Sequence, residues 1–221
     1  ETWAKYKSTI ADFNAANSDI IAIGGFEMTW SGGPGHINTF NTPGIVSRNN
    51  TVLNNKTSDA GMKAYYALLS RVEGADSISQ FNHPGTTFGD FSDFGYYSQV
   101  NDDLVTLVEV GNGSGAVGSS GYFPSYEYYT RALDKGWHVA PANNQDNHRG
   151  MWGDSNTART VALADDLTRE SIYDALRNYR VYATEDNDLH IYYTLNGQLM
   201  GSVIPAQNVG EELSISVDLS D

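Results

Sequence analysis

The chain has 221 residues and a net charge of −14, from 27 acidic and 13 basic side chains. This charge disfavours nucleic acids and anionic membranes as partners, because the field of the protein repels phosphates. The absence of cysteine excludes disulfides and leaves His, Asp and Glu as metal ligands, and no stretch approaches the ~18 apolar residues of a membrane span.

The first forty residues predict a helix, a buried strand and a returning strand. Residues 2–17 carry apolar side chains at helical spacing, and residues 19–25 predict a buried parallel strand. Glu27 follows this strand, which is where α/β barrels place their chemistry. Residues 36–40 predict the return strand of a hairpin, which can bring Glu27 and His36 to one end.

The next part of the chain repeats the alternation of helix and strand. A helix is predicted up to Val72 and can be capped by Thr57, Ser58 or Asp59. Residues 77–82 predict a strand that ends at His83. The stretch 86–100 is acidic and aromatic and predicts a loop.

Two further strands flank a helix in the second half. Residues 104–110 predict the most apolar strand, which contains Glu109. Residues 124–135 predict a helix with Tyr128 and Leu133 facing inward. Residues 137–140 then predict a short buried strand.

A polar segment follows this strand and contains Asp146 and His148. In extended backbone, residues two apart point to the same side, so these side chains can converge on one metal ion. A polar turn is the alternative interpretation of the same residues.

The end of the sequence changes from α/β alternation to β alternation. Residues 168–178 predict a helix and 180–184 a strand, whereas alternating residues from about 187 surround the Asn196–Gly197 turn, a strong hairpin signal. We therefore predict a domain over 1–186, followed by the start of an antiparallel β element over 187–221.

Five polar residues are predicted to meet where strands end. On a barrel these ends share one face, which would form a cluster suited to Zn, Mn or Fe: Glu27, His36, His83, Asp146 and His148. Structural roles for these residues stay open, since His83 can form a hydrogen bond with the backbone and Glu27 can form a buried ion pair with an arginine. His138 is expected in the core and His190 on the surface, and Glu109 can either support the site or fix the loop after it.

The motifs around these residues resemble the PHP (polymerase and histidinol phosphatase) superfamily, and within it the CehA/McbA-type metallohydrolases. The resemblance covers about residues 1–185 and is carried by Gly25-Phe26-Glu27, Gly35-His36-Ile37-Asn38, Asn82-His83-Pro84 and Gln145-Asp146-Asn147-His148. It implies a distorted (β/α)7 barrel with two or three divalent metal ions, and phosphoester hydrolysis by metal-activated water. It also implies that Glu27 bridges metals and that His36, His83, Asp146 and His148 bind them.

The sequence departs from this family at its start. Family members begin with a strand carrying His-x-His, and no such segment is present. We therefore expect an N-terminally incomplete barrel, with a missing N-terminal segment or partner chain that covers the exposed strand edge.

The leading functional hypothesis is a metal-dependent phosphoesterase with Glu27 and Asp146 as catalytic residues. Arg149 and Arg159 are expected to hold a small anionic substrate, with Trp152 as a pocket wall. Hydrolysis of carboxylic esters, carbamates or amides is a chemical alternative. A second class of function is a non-catalytic binding or scaffold module of a large secreted protein. Secretion is expected from the composition, since high Asn, Gly, Tyr and Ser content with few lysines is typical of secreted bacterial proteins.

Overall fold

The main sheet has six strands, in a computed structural model that describes residues 2–30, 32–54, 59–71, 74, 76–210 and 212–221. Strands β1 (Gly25–Thr29) and β2 (His36–Phe40) form an antiparallel hairpin, and β3 (Ile78–Asn82) lies antiparallel to β2. Strand β4 (Val105–Asn112) then runs parallel to β3. The predicted hairpin is therefore confirmed, and it leads into a mixed sheet.

Two short strands complete this sheet around β4. Strand β5 (Phe123–Pro124) pairs antiparallel with the last two residues of β4, and β6 (Ala140–Asn144) runs parallel to β4. Strand β7 (Arg159–Ala162) pairs antiparallel with β8 (Val181–Thr184) in a separate ribbon. The described residues thus form a mixed α/β fold and not a closed (β/α)7 barrel, because antiparallel pairing at β1, β2 and β3 replaces the barrel's parallel order.

The segment predicted as the first strand is not a strand. Helix α1 (Thr2–Ala16) lies beside it, and the Asn14 side chain both donates to Ala22 O and accepts from Ala22 N, at 3.0 and 2.7 Å. An amide side chain therefore takes the backbone bonds that a neighbouring strand would take. As a result, regular pairing begins only at Gly25, and Glu27 lies inside β1.

A similar shift occurs before β6. The predicted strand over 137–140 begins only at Ala140, because the His138 backbone N–H donates to Asp102 Oδ1 at 2.7 Å and not to a strand. Trp137 is nevertheless buried, and its Nε1 donates to Phe94 O at 2.8 Å. The apolar pattern therefore correctly predicts burial of Trp137, Val139 and Ala140 but not strand pairing. The core position expected for His138 is wrong, because its side chain is 54% exposed and its Nδ1 lies 2.7 Å from Asp102 Oδ2.

The helices agree with the predicted positions and differ at their ends. Helix α2 spans Ala60–Leu69, and the predicted cap residues Thr57 and Ser58 and the predicted end Val72 lie outside the described residues. The predicted loop 86–100 contains two single turns, α3 (Phe91–Phe94) and α4 (Gln99–Asp102). All four residues of α3 have positive φ, so this turn is left-handed.

Two amphipathic helices cover the second half of the chain. Helix α5 is Tyr126–Asp134 and α6 is Arg169–Arg177, which begins at the Thr168 cap. Leu133 is exposed, contrary to the prediction, because Ala132 is the buried residue of its turn. None of the described helices combines the length and apolarity needed to cross a bilayer.

An aromatic cluster fills the core beneath the sheet. The Phe81 ring lies at the centre, with ring centroids 4.5 Å from Phe91, 5.3 Å from Phe94 and 5.0 Å from Trp137. All four side chains are almost completely buried, and such rings contribute both burial and edge-to-face contacts. Phe81 is two residues before His83, so this packing anchors the end of β3.

The C-terminal strands form a third sheet, as the Asn196–Gly197 pattern predicts. Its order is β10 (Gln198–Leu199), β9 (His190–Leu195) and β11 (Ile215–Ser220), all antiparallel. His190 is exposed at the start of β9, as expected. The domain boundary at residue 186 stays a prediction.

Candidate metal centre

Three of the predicted ligands converge at one end of the main sheet. His36 Nδ1 lies 3.4 Å from Glu27 Oε1, and His83 Nε2 lies 3.6 Å from the same oxygen. The two imidazole rings are 4.8 Å apart between centroids and nearly perpendicular. One carboxylate oxygen thus stands between two histidine nitrogens.

The register of the strands explains this convergence. His36 is paired with Thr29 in β1 and with Asn82 in β3, and His83 comes directly after Asn82. Glu27 is two residues before Thr29, so both side chains project from the same face of β1. The turn between β1 and β2 therefore brings residues far apart in sequence to one point.

Glu27 is held as a carboxylate by its neighbours. Asn82 Nδ2 donates to Glu27 Oε1 at 2.8 Å, and Thr29 Oγ1 donates to Glu27 Oε2 at 3.1 Å. Burial raises the pKa of Glu27, but hydrogen bonds from His36, His83 and Asn82 outweigh burial and leave this pKa well below its usual range. A charged carboxylate is the form that binds a metal ion.

His83 is fixed through its backbone and not through its ring. Its N–H donates to Glu109 Oε2 at 2.6 Å, and its φ of 28° lies in the left-handed region. Burial lowers the pKa of His83, but Glu27, Glu109 and Asp146 together raise it above its usual value. Its Nδ1 is buried and has no hydrogen-bond partner in the part of the chain that is described.

Glu109 lies below the site and receives four hydrogen bonds. Besides the His83 backbone, it accepts from Asn112 Nδ2 at 2.9 Å, Asn144 Nδ2 at 2.9 Å and Gln80 Nε2 at 3.3 Å. Burial raises the pKa of Glu109 to about 7, although these donors oppose the shift. Both its oxygens accept hydrogen bonds from inside the protein, so Glu109 holds the backbone of His83 in place.

A tight hairpin places Phe88 over both histidines. Gly85 and Gly89 exchange two backbone hydrogen bonds of 2.9 Å. The Phe88 ring centroid lies 5.3 Å from that of His36 and 4.7 Å from that of His83. Gly89 has a φ of 109°, and a Cβ there would lie 2.4 Å from Pro34 O, so only glycine allows this close packing.

The donor set fits a divalent metal ion. One atom each from Glu27, His36 and His83 lies within 4.8 Å of the others, and two imidazoles with one carboxylate suit Zn, Mn or Fe. The His83 nitrogen nearest Glu27 is Nε2, so this atom of the ring would face the ion. These three residues would hold the metal.

Asp146 and His148 are not part of this three-residue group. Asp146 has a φ of 45°, and Asn147 Oδ1 accepts from the Arg149 N–H at 2.7 Å, so the segment is a turn and not the extended backbone assumed from the sequence. Asp146 nevertheless lines the same cleft as His83. The His148 side chain is 82% exposed, with Nδ1 2.7 Å from Asp146 O. Their role as ligands stays a prediction.

Two of the predicted substrate-binding residues, Arg159 and Trp152, line a neighbouring depression. Arg159 donates to the backbone oxygens of Asn156 and Ala158, each at 2.7 Å, so its guanidinium holds a loop. Trp152 is exposed, and Arg149 is exposed and does not line this depression. The structure brings neither arginine to the Glu27 cluster.

An open cleft of about 660 Å³ adjoins His83. It is lined by the hairpin carrying Phe88, by residues 112–114 and by residues of the 121–128 segment. His83 and Asp146 also line it. The cleft is large enough for a small organic substrate.

Sequence reasoning did not identify Asn82 and Phe88 as part of the site. Asn82 has a signal in the sequence, because a polar amide at the buried end of a strand needs a polar partner. Phe88 has none that distinguishes it from the other aromatic residues of its loop. The position of Phe88 depends on the packing of Gly89 against Pro34, and Pro34 is far from Phe88 in sequence.

Comparisons with known proteins bear on the fold. No protein-family model and no curated protein matches the sequence. Among solved structures, the chain is similar to a two-domain protein from Bacteroides vulgatus containing a predicted PHP-like metal-dependent phosphoesterase, with 18% identity and a TM-score of 0.53. The likeness covers 81% of this chain and 48% of that one, so the chain spans about half the length of the similar protein.

The fold class is therefore a mixed α/β fold with a His and Glu cluster at one end of its sheet. More particularly, the fold is similar to that of the structure containing the PHP-like phosphoesterase, the superfamily that the sequence motifs resemble. The CehA/McbA-type assignment and the missing first strand stay predictions.

Proposed function

We propose that this protein is a metal-dependent hydrolase of the PHP phosphoesterase type. The observation that carries the proposal is the convergence of Glu27, His36 and His83 within 4.8 Å. The similarity to a predicted metal-dependent phosphoesterase supports it. A bound divalent metal ion lowers the pKa of its water towards ~7 and stabilises negative charge on the attacked phosphorus centre.

The residues of the chain have distinct tasks in this proposal. Glu27, His36 and His83 bind the metal, and Asn82 and Thr29 orient the Glu27 carboxylate through their hydrogen bonds. Glu109 holds the backbone of His83. Asp146 is exposed to the cleft and negatively charged, so it can accept the proton of the attacking water.

A direct test combines metal analysis with hydrolysis. We expect the purified protein to retain at least one equivalent of Zn, Mn or Fe after dialysis, and to hydrolyse bis(4-nitrophenyl) phosphate in a manner abolished by a chelator and restored by metal. Retention below about a tenth of an equivalent would contradict the proposal. Activity on 4-nitrophenyl acetate alone would favour the carboxylic ester alternative.

A non-catalytic binding or scaffold module is the second candidate. The observation that favours it is that only three of the five predicted ligands form one group among the described residues. A protein that binds one metal tightly, yet hydrolyses neither phosphate nor carboxylic esters, would fit this candidate.

Substitutions of Asp146 and of His148 should have different effects on metal binding and turnover. We expect Asp146→Ala to weaken metal binding or turnover by about tenfold, because Asp146 shares the cleft with His83 and acts on its charge. His148→Ala should change both by less than about twofold, since its imidazole is exposed. Isothermal titration with Zn²⁺ and steady-state kinetics measure both effects.

The opposite order of the two effects would have a different meaning. A large loss in His148→Ala with a small loss in Asp146→Ala would mean that the 146–148 turn rearranges when metal binds.

A further inference from the structure

The cleft beside the metal centre is acidic. Its lining residues include Glu127 and Asp146 as charged groups and contain neither lysine nor arginine. This matters because Arg149 and Arg159 were expected to hold an anionic substrate, and neither lines this cleft. A second anionic group on a substrate would therefore meet the like charges of Glu127 and Asp146 there.

Arg131 packs behind one lining residue of the cleft and is already paired. Arg131 donates to Asp93 Oδ1 at 2.6 Å and to Asp90 Oδ2 at 3.0 Å. Its Cζ also lies 4.7 Å from the Tyr128 ring centroid, so this arginine packs on the aromatic ring that lines the cleft. It is therefore not free to neutralise an anion in the cleft.

Two exposed aromatic side chains line the same cleft. Phe88 is 45% exposed and Phe123 is 58% exposed, although each is large and apolar. They come from different segments, the first from the Gly85–Gly89 hairpin and the second from β5. Aromatic faces together with carboxylates attract organic cations, through the ring quadrupole and through charge.

We propose that the cleft binds a positively charged alkylammonium group of the substrate, next to the ester that is hydrolysed. The proposal rests on the proposed function, because it concerns the part of the substrate that extends from the metal centre into the cleft. Phe88 and Phe123 contact the cation, and Glu127 supplies the opposite charge. The phosphate is the single anionic group, and it lies at the metal.

The test uses two probes of the same shape that differ only in charge. Choline and 3,3-dimethyl-1-butanol are isosteric, and their binding to the metal-free chain is measured by NMR titration. We expect choline to bind about tenfold tighter than the neutral alcohol, the difference that a cation–π and charge contribution gives. Because no metal and no hydrolysis are involved, this result does not depend on the proposed reaction.

Substitutions show whether binding occurs in the cleft. Glu127→Gln and Phe88→Leu should each reduce choline affinity about fivefold and leave binding of the alcohol much less affected. Glu212→Gln removes an exposed charge outside the cleft and should leave choline binding unchanged. Equal affinities for the two probes, absence of choline binding, or a choline preference that survives both cleft substitutions would overturn the proposal.

Failure of the substrate proposal and failure of the proposed function are distinguishable. Hydrolysis of bis(4-nitrophenyl) phosphate without a choline preference would overturn only the assignment of the cleft. A choline preference in a protein that retains no metal would overturn only the hydrolase assignment.

Discussion

Replacing Glu27 with glutamine should lower the affinity for Zn²⁺ or Mn²⁺ by about a hundredfold or more, beyond the range typical of groups that only support a ligand. Glu27 Oε1 stands between the nitrogens of His36 and His83, so its negative charge is the main attraction for a cation at this point. Glutamine can still accept from Asn82 through its carbonyl oxygen, and the fold should therefore persist. Competition with a chromophoric chelator measures the metal affinity.

The control for this experiment has the same change of charge at a distant position. Glu212→Gln removes one negative charge from an exposed residue and should bind metal like the unchanged protein. Circular dichroism and urea unfolding of Glu27→Gln verify that the chain is folded. If Glu27→Gln binds metal as tightly as Glu212→Gln does, the three-residue cluster is not the metal centre.

The site was predictable where spacing along the chain determines geometry. Eight residues lie between Glu27 and His36 in one hairpin, and antiparallel pairing then fixes which side chains meet. His83 was predictable as the residue that follows a buried strand. For these three residues, local sequence pattern and long-range structure point to the same place, which is why a resemblance in short motifs was informative.

The helices and the C-terminal hairpin were predictable for a similar reason. The apolar period of 3.6 in α1, α5 and α6 and the Asn196–Gly197 turn are local signals that do not depend on partners far away in sequence. Their ends were less predictable, as the exposed Leu133 shows. One position of error on a helix moves a side chain by about 100°, enough to bring it from the core to solvent.

The main failures concern the partners that backbone groups choose. Asn14 binds the backbone of Ala22, and Asp102 binds the backbone of His138, so two apolar segments that look like strands are held by side chains. The extended geometry assumed for Asp146 and His148 failed because Asn147 closes a turn on Arg149. Polar side chains compete with strands for the same backbone groups, and one sequence alone does not show which wins.

The described strands do not form the barrel that the resemblance implied. Strands of a (β/α) barrel run parallel, whereas β1, β2 and β3 are antiparallel neighbours, and the hairpin predicted from the sequence already required this of β1 and β2. The turn between β1 and β2 is too short for a crossover connection, which requires about a dozen residues. The spacing of the hairpin therefore already contradicted a parallel arrangement of these strands.

Replacing Glu109 with leucine should reduce the free energy of unfolding by about 3 kcal/mol and also weaken metal binding. Four donors point at this carboxylate, from the His83 backbone and from three buried or half-buried amide side chains. Each donor left without a partner costs about 1 to 3 kcal/mol. Part of this loss is offset, because the buried carboxylate, with its pKa raised to about 7, is itself costly to bury. Urea unfolding measures the difference.

Thr106→Val is the matched control, because it removes a buried polar atom from the same strand. Thr106 Oγ1 is buried without a hydrogen-bond partner among the described residues, so valine should leave the stability unchanged or raise it by about 1 kcal/mol. Loss of stability in Glu109→Leu together with neutrality of Thr106→Val would show that hydrogen bonding, and not burial of strand β4 alone, supports the site. Equal losses in the two variants would mean that Glu109 fills space as any core residue does, and that His83 keeps its position without it.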